Sequence, residues 1–223
     1  MEKEIKLTIA VPTYNRCKLL KVALDSIIAQ WRDDIEVYVS DNASSDGTEE
    51  MMKEYCAKYP IQYVRNSENL GADRNFLNCF RMGKGKYVHL LSDDDLLLPG
   101  AVERIIRYIE KEPDYINLNS YTYFTDVFDP EDRKPPRIKL EKDLITLDKK
   151  EYMRHIGCYI TYVSAIVSKN MGFLTRNHQG PLDPPLTRTQ SQADSQPLAV
   201  TAGPTCAPRR WTAQAVNSTS VLC

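Results

Sequence analysis

A chain of 223 residues can bury the core of one domain, with or without an appendage. Lys and Arg total 29 against 30 Asp and Glu, a formal charge of −1, so the basic field that gathers nucleic acid is missing and no nucleic acid partner is expected. Cys17, Cys56, Cys79, Cys158, Cys206 and Cys223 are scattered without a CxxC pair, and the longest apolar run, 159–167, falls far short of the ~20 residues of a spanning helix, which argues against zinc sites, disulfide frameworks and transmembrane helices.

The N-terminal stretch MEKEIKLTIAVP carries acids among its first charges and too short an apolar run for a signal peptide. A cytoplasmic protein with reduced thiols is therefore expected, leaving open a peripheral contact with the inner face of a membrane. Ile5, Leu7, Ile9 and Val11 alternate as a strand, and Leu20, Ala23, Leu24, Ile27 and Ile28 then fall on one helical face. Ile35, Val37 and Val39 predict a second strand and Thr48 to Tyr59 a helix. Ile61, Tyr63 and Val64 predict a third strand, followed by a helix over 72–82 with Phe76, Leu77 and Phe80 as its buried stripe. Tyr87 to Leu91 is a fourth strand, 100–111 a helix through Val102, Ile105, Ile106 and Ile109, and Ile116 and Leu118 mark a further strand. This alternation predicts an α/β fold with a mostly parallel sheet, helices on both faces, and ligands bound beyond the C-terminal ends of the strands.

The composition breaks near residue 174. From Thr175 to Cys223 there is no Tyr, Phe, Ile, Met, Lys or Glu, while Pro, Thr, Ser, Gln and Ala dominate. Such a tail cannot bury enough apolar surface to offset chain entropy and is expected to be disordered. The simultaneous loss of six residue types also fits a reading frame that slips near Thr175, which sequencing across the corresponding nucleotides would settle. No function is assigned to 175–223.

Four post-strand loops concentrate polar groups: PTYNR at 12–16, SDNASSDGT at 40–48, RNSENLGADRN at 65–75 and SDDD at 92–95. Each has a structural reading too. Pro12 can end a strand, Asp46 can cap a helix with Glu49 three residues on, Gly71 can supply a positive φ, and His89 reads as a satisfied strand histidine. The aspartate triplet asks for more, because two carboxylates ~5 Å apart repel by roughly 3 kcal/mol at an effective dielectric near 20. A divalent ion with the oxygens of a substrate diphosphate would neutralise such a cluster, whereas a solvated acidic turn or a helix N-terminal cap is the plainer alternative. Asp41, ending a strand on the same rim, could accept from a base N–H or from ribose hydroxyls.

VPTYNR, SDNASSDGT, ENLGADRNF and LLSDDDLLLPGA, in this order and at these spacings, resemble the nucleotide-sugar half of a family 2 glycosyltransferase with the GT-A fold over roughly residues 5–120. The style is similar to the abequosyltransferase-like group that builds bacterial surface polysaccharide. The resemblance implies a Rossmann-like donor-binding half over 1–120 and an incomplete acceptor-side region over 121–174, including Tyr121, Tyr123, Phe124, Phe128 and the run Ile160 to Val167. Its donor is a nucleotide-diphosphate sugar, its acceptor a glycan or lipid-linked glycan, and its cofactor Mn²⁺ or Mg²⁺. It further implies that Thr13 and Tyr14 lie against base and ribose with Pro12 shaping the turn. Asp41 would hold the base edge, Asn42 and Asp46 would support that loop, and Arg74 would approach the nucleotide. Asp95 would ligate the metal, with Asp93 and Asp94 dividing ribose and water-mediated metal contact and Asp93 completing the D-x-D spacing.

An inverting transfer needs a general base. None can be named: Asp148, Glu151 and His155 are available, yet no motif places them. A nucleotide-binding remnant without turnover is thus the alternative reading, and a sugar-nucleotide nucleotidyltransferase a weaker one, since PTYNRCK lacks the glycines such enzymes carry in the first loop. A dinucleotide enzyme would need G-x-G-x-x-G after the first strand, and a calcium loop would need Gly and Glu where Leu98 and Arg104 stand.

Overall fold

The computed structural model describes residues 4–122, 144–156, 162–170 and 213–222. Strands and helices alternate from the start: β1 (Leu7–Thr13), α1 (Cys17–Ile28), β2 (Ile35–Asp41), α2 (Thr48–Lys58), β3 (Ile61–Arg65), α3 (Ala72–Met82) and β4 (Tyr87–Leu90). Then come the two-residue β5 (Leu96–Leu97), α4 (Ala101–Ile109), β6 (Tyr115–Thr122), β7 (Leu144–Leu147), α5 (Lys149–His155), a 3-10 turn (Val163–Ala165), β8 (Ile166–Lys169) and β9 (Ala213–Leu222).

The sheet runs β3-β2-β1-β4-β8-β6-β9-β5, with β7 on β9. Its first four strands are mutually parallel, β1 pairing β2 from Leu7↔Ile35 to Thr13↔Asp41 and β4 from Leu7↔Tyr87 to Ala10↔Leu90. β8 enters antiparallel between β4 and β6. After β1 the chain winds outward through β2 and β3, then returns to β4 on the other side of β1. That reversal leaves the loops after β1 and β4 side by side at the C-terminal rim, the place where open α/β sheets hold ligands.

Period-two alternation divides the core. Leu7, Ile9 and Val11 of β1 and Ile35, Val37 and Val39 of β2 pack with Leu20, Leu24 and Ile27 of α1, Met52 of α2 and Val102, Ile105 and Ile106 of α4. Each fully buried Leu or Ile contributes about 2 kcal/mol of apolar burial. Ala10, Tyr38, Val88 and Leu90 face the other way, against Cys79 and Phe76 of α3. The α3 stripe differs from expectation: Asn75 and Cys79 are its buried residues and Phe76 is partly buried, while Leu77 and Phe80 are exposed. A polar sheet position, Ser40, selects Asn75 there by hydrogen bonding, and this turns Leu77 and Phe80 outward.

At the rim opposite the loops, Glu36 accepts from the Thr8 hydroxyl, Gln62 and the amides of Lys84 and Gly85. Gly85 is required by close approach, because a Cβ there would lie 2.6 Å from the backbone nitrogen of Thr8. Over 213–222 the structure adds a strand where the composition predicts none: AQAVNSTSVL runs parallel to β6 and satisfies its edge. Residues 175–212 and the expected acceptor-side residues Tyr123, Phe124, Phe128 and Ile160 lie outside the described residues. Among the described residues no helix is long and apolar enough to cross a membrane.

Candidate functional site

The four polar loops meet around an open hollow of about 360 Å³. Pro12, Thr13, Tyr14 and Arg16 line it from the β1–α1 loop, Asn42 from the end of β2, Ser92 and Asp93 from the end of β4, and Asn69, Gly71, Ala72, Asn75 and Phe76 from the β3–α3 loop and α3. Tyr14 keeps 44% of its surface exposed on the wall of the hollow.

Asp93, although 5% exposed, directs one carboxylate oxygen to the Thr13 hydroxyl at 2.7 Å and the other to Nη1 of Arg16 at 3.1 Å. The same Nη1 reaches Asp94 Oδ2 at 2.8 Å, while Asp94 Oδ1 accepts from the Ser92 hydroxyl at 2.5 Å. The positive partner that the triplet demands is therefore Arg16. Burial pushes the Asp93 carboxyl above its usual range, although Thr13 and Arg16 both favour its charge. The Asp93 carboxylate in turn holds the Arg16 guanidinium above its usual value. Asp95 is buried and outside the lining of the hollow; Asp94 adjoins the hollow through Arg16.

Backbone turns hold these loops together. Asn15, at φ 53°, accepts from the Ser45 amide at 2.7 Å while its own amide donates to the Ser44 hydroxyl, which locks the first loop onto the second. Asp46 accepts from the Cys17 amide at 2.8 Å and from the Thr48 hydroxyl at 2.6 Å. It thereby joins the starts of α1 and α2, whereas the N-cap of α2 is Gly47 and Glu49 pairs with Lys53 instead. Asn42 donates to Asn69 and accepts from Asn66 and the Leu70 amide, wiring the second loop to the third. Gly71, at φ 84° and ψ 161°, takes a conformation essentially closed to other residues just before α3.

The profile described as Glycosyl transferase family 2 matches residues 8–171. The chain belongs to that family. It is 34% identical over 176 residues to abequosyltransferase RfbV of Salmonella typhimurium, covering 73% of this chain and 52% of that protein. It is 33% identical over 129 residues to the uncharacterized glycosyltransferase MJ1057 of Methanocaldococcus jannaschii, covering 56% and 44%. This family 2 chain thus spans about half the length of the curated relatives it matches. Among solved structures, S. aureus TarS 1–349 in complex with UDP-GlcNAc aligns with a TM-score of 0.61 at 18% identity, covering 78% of this chain and 47% of that one, which shows a GT-A fold.

Two residues expected at the nucleotide, Asp41 and Arg74, do not line the hollow of this family 2 chain. Asp41 is fully buried, accepting from the Ser44 amide at 2.9 Å and the Tyr63 hydroxyl at 2.7 Å, with Arg65 Nε at 3.7 Å. It shares strand parity with Val37 and Val39 and follows them onto the face opposite α3. Burial, together with this hydrogen bond, pushes the Tyr63 hydroxyl pKa up. Arg74 is exposed and absent from the lining, because Ala72, Asn75 and Phe76 share the inward face of α3 and Arg74 does not. The cation lining the hollow is Arg16, the last residue of the PTYNR motif. Asp148 and Glu151 form the reciprocal capping box of α5, an arrangement that S/T/D-x-x-E spacing could have revealed.

His89 is completely buried on β4, with Nε2 2.9 Å from the Ser164 carbonyl and Nδ1 without a partner among the described residues. It is thus half satisfied, as a neutral ring whose Nε2–H donates. Ser164 also accepts from the Ser92 amide at 2.8 Å, so this pairing buttresses the acidic loop. Burial lowers the His89 pKa to about 4 from the ordinary 6.5. Below pH 6.5 the unfolded chain binds the proton and the folded one does not. His89 therefore contributes stability in full above about 6.5 that is lost as pH falls towards 4, at about 1.4 kcal/mol per pH unit. Chemical denaturation at pH 7.0, 6.0 and 5.0 should show that slope, and His89→Gln, which keeps the donor, should flatten it.

Proposed function

We propose that the chain is the donor-binding half of a glycosyltransferase that moves a sugar from a nucleotide-diphosphate sugar to an acceptor hydroxyl in bacterial surface-polysaccharide synthesis. The observation that carries this reading is the convergence of Thr13, Tyr14 and Asp93 on one hollow at the sheet's switch point. Family 2 membership and the likeness to an abequosyltransferase support the chemistry and its setting.

In this reading the Tyr14 ring stacks on the base, Thr13 and Asp93 hold the ribose side, and Asn42 and Asn69 fix the loops around it. Transfer proceeds with inversion, the acceptor hydroxyl attacking opposite the leaving diphosphate. The donor set suits a hard divalent ion such as Mn²⁺ or Mg²⁺: Asp93 and Asp94 present converging oxygens, and no cluster of three or more metal-binding side chains occurs among the described residues, so diphosphate and water would complete the coordination. When bound, the ion neutralises the charge developing on the leaving diphosphate. Asp95, in the same loop, is carried as a third candidate ligand.

A thermal-shift panel of UDP-, CDP-, GDP- and dTDP-sugars, with and without Mn²⁺, tests the reading. One nucleotide series should raise the melting temperature only with metal. Loss of that shift in Asp95→Asn would make Asp95 a ligand, an unchanged shift would remove it from the site, and no shift with any sugar would overturn the proposal.

A further inference from the structure

Arg16 uses a single nitrogen, Nη1, to bridge Asp93 Oδ1 and Asp94 Oδ2. The remaining oxygens of the two carboxylates are taken from within the fold, Asp93 Oδ2 by Thr13 and Asp94 Oδ1 by Ser92. The two oxygens that converge on a common point are the two that Arg16 Nη1 bridges. A divalent ion held by these two oxygens would compete with Nη1 for them, because two like-charged groups repel at such close range.

Arg16 is also free to leave. Its side chain is 48% exposed, and its backbone is the N-cap residue of α1, outside the helical repeat and without a side-chain cap bond of its own. Arg16 lines the same hollow as Tyr14 and Asn69, the space that the donor-site reading gives to the nucleotide diphosphate. A planar fork of N–H donors suits phosphate oxygens at least as well as it suits carboxylates.

Resting on the donor-site reading, we propose that Arg16 is an exchangeable cation: it neutralises Asp93 and Asp94 when the site is empty, is displaced by the divalent ion, and then binds the donor diphosphate. It couples the arrival of metal and diphosphate, since metal alone must evict Arg16 without giving it a new partner.

The test measures Mn²⁺ binding to the nucleotide-free 223-residue chain by electron paramagnetic resonance of the free ion, and inorganic pyrophosphate binding in the presence of Mn²⁺ by calorimetry, for wild type and Arg16→Gln. The variant should bind Mn²⁺ at least fivefold more tightly and pyrophosphate at least tenfold more weakly, with Arg16→Lys between the two on both axes. Arg16 lies at the surface, and a single cooperative melting transition in Arg16→Gln, whatever its midpoint, verifies that both proteins are compared folded. Equal or weaker Mn²⁺ binding in the variant, or undiminished pyrophosphate binding, overturns the exchange. Absence of both ligands from wild type and variant alike overturns the donor-site reading itself, a different outcome from either.

Discussion

Replacing Asp41 by alanine is expected to lower the unfolding free energy by about 4 kcal/mol, the range found when one partner of a buried ionic network is removed. The carboxylate is fully buried and receives the Tyr63 hydroxyl and the Ser44 amide, with Arg65 close by. Alanine leaves those donors facing a void, and each unsatisfied buried donor costs about 1–3 kcal/mol. Arg65 loses less, because it is partly exposed and retains the Ser44 carbonyl and Glu49. Asp41→Asn should cost only about 1 kcal/mol, since its amide oxygen can still accept from Ser44 and the Tyr63 hydroxyl can turn to accept from its NH₂ group. Urea denaturation of both variants measures the difference. A loss below 1 kcal/mol in the alanine variant would mean that the 40–48 loop is held by Asn15 and Asp46 without Asp41.

The contrast between Asp41 and Asp93 shows where a sequence speaks plainly and where it misleads. Local periodicity spells out β1 through α4, because alternating or 3.6-spaced apolar residues have one way to be buried against a neighbour. The same alternation, carried to the end of β2, puts Asp41 with Val39 on the face opposite α3, so its place outside the lining of the hollow is legible in the sequence. Arg74 and Arg16 differ in the same manner, one set by helical phase away from the site and the other by a turn towards it. Leu77 and Phe80 show the reverse failure: α3 meets the sheet through Asn75 on Ser40 and through Phe76 and Cys79 on the apolar cluster, a phase that leaves Leu77 and Phe80 outside. The antiparallel insertion of β8 and the addition of β9 join residues far apart in sequence, and no local pattern encodes such a pairing.

Asp93→Asn should separate function from stability. Thr13 is 80 residues away in the chain, yet its hydroxyl meets Asp93 because β1 and β4 are neighbours, and an asparagine oxygen can accept that bond equally well. Burial raises the Asp93 pKa despite Thr13 and Arg16, which means that the folded protein tolerates the charged form less well than the unfolded chain does. Relief of the buried charge opposes the loss of the Arg16 bond, so the change should cost about 1 kcal/mol of unfolding free energy or less. Binding should change far more. With one of two converging carboxylates neutral, Mn²⁺-dependent affinity for a nucleotide diphosphate should fall by about 100-fold or more, since losing an outer-shell partner alone costs about 10–100-fold. Calorimetry with the nucleotide that gives the largest thermal shift, alongside urea denaturation, reads both quantities on one sample. A residue kept for the fold would lose stability first and affinity as a consequence; a strained charge kept for a ligand loses affinity alone. Parallel losses in the two measurements would assign Asp93 to the scaffold and return the acidic loop to a structural role.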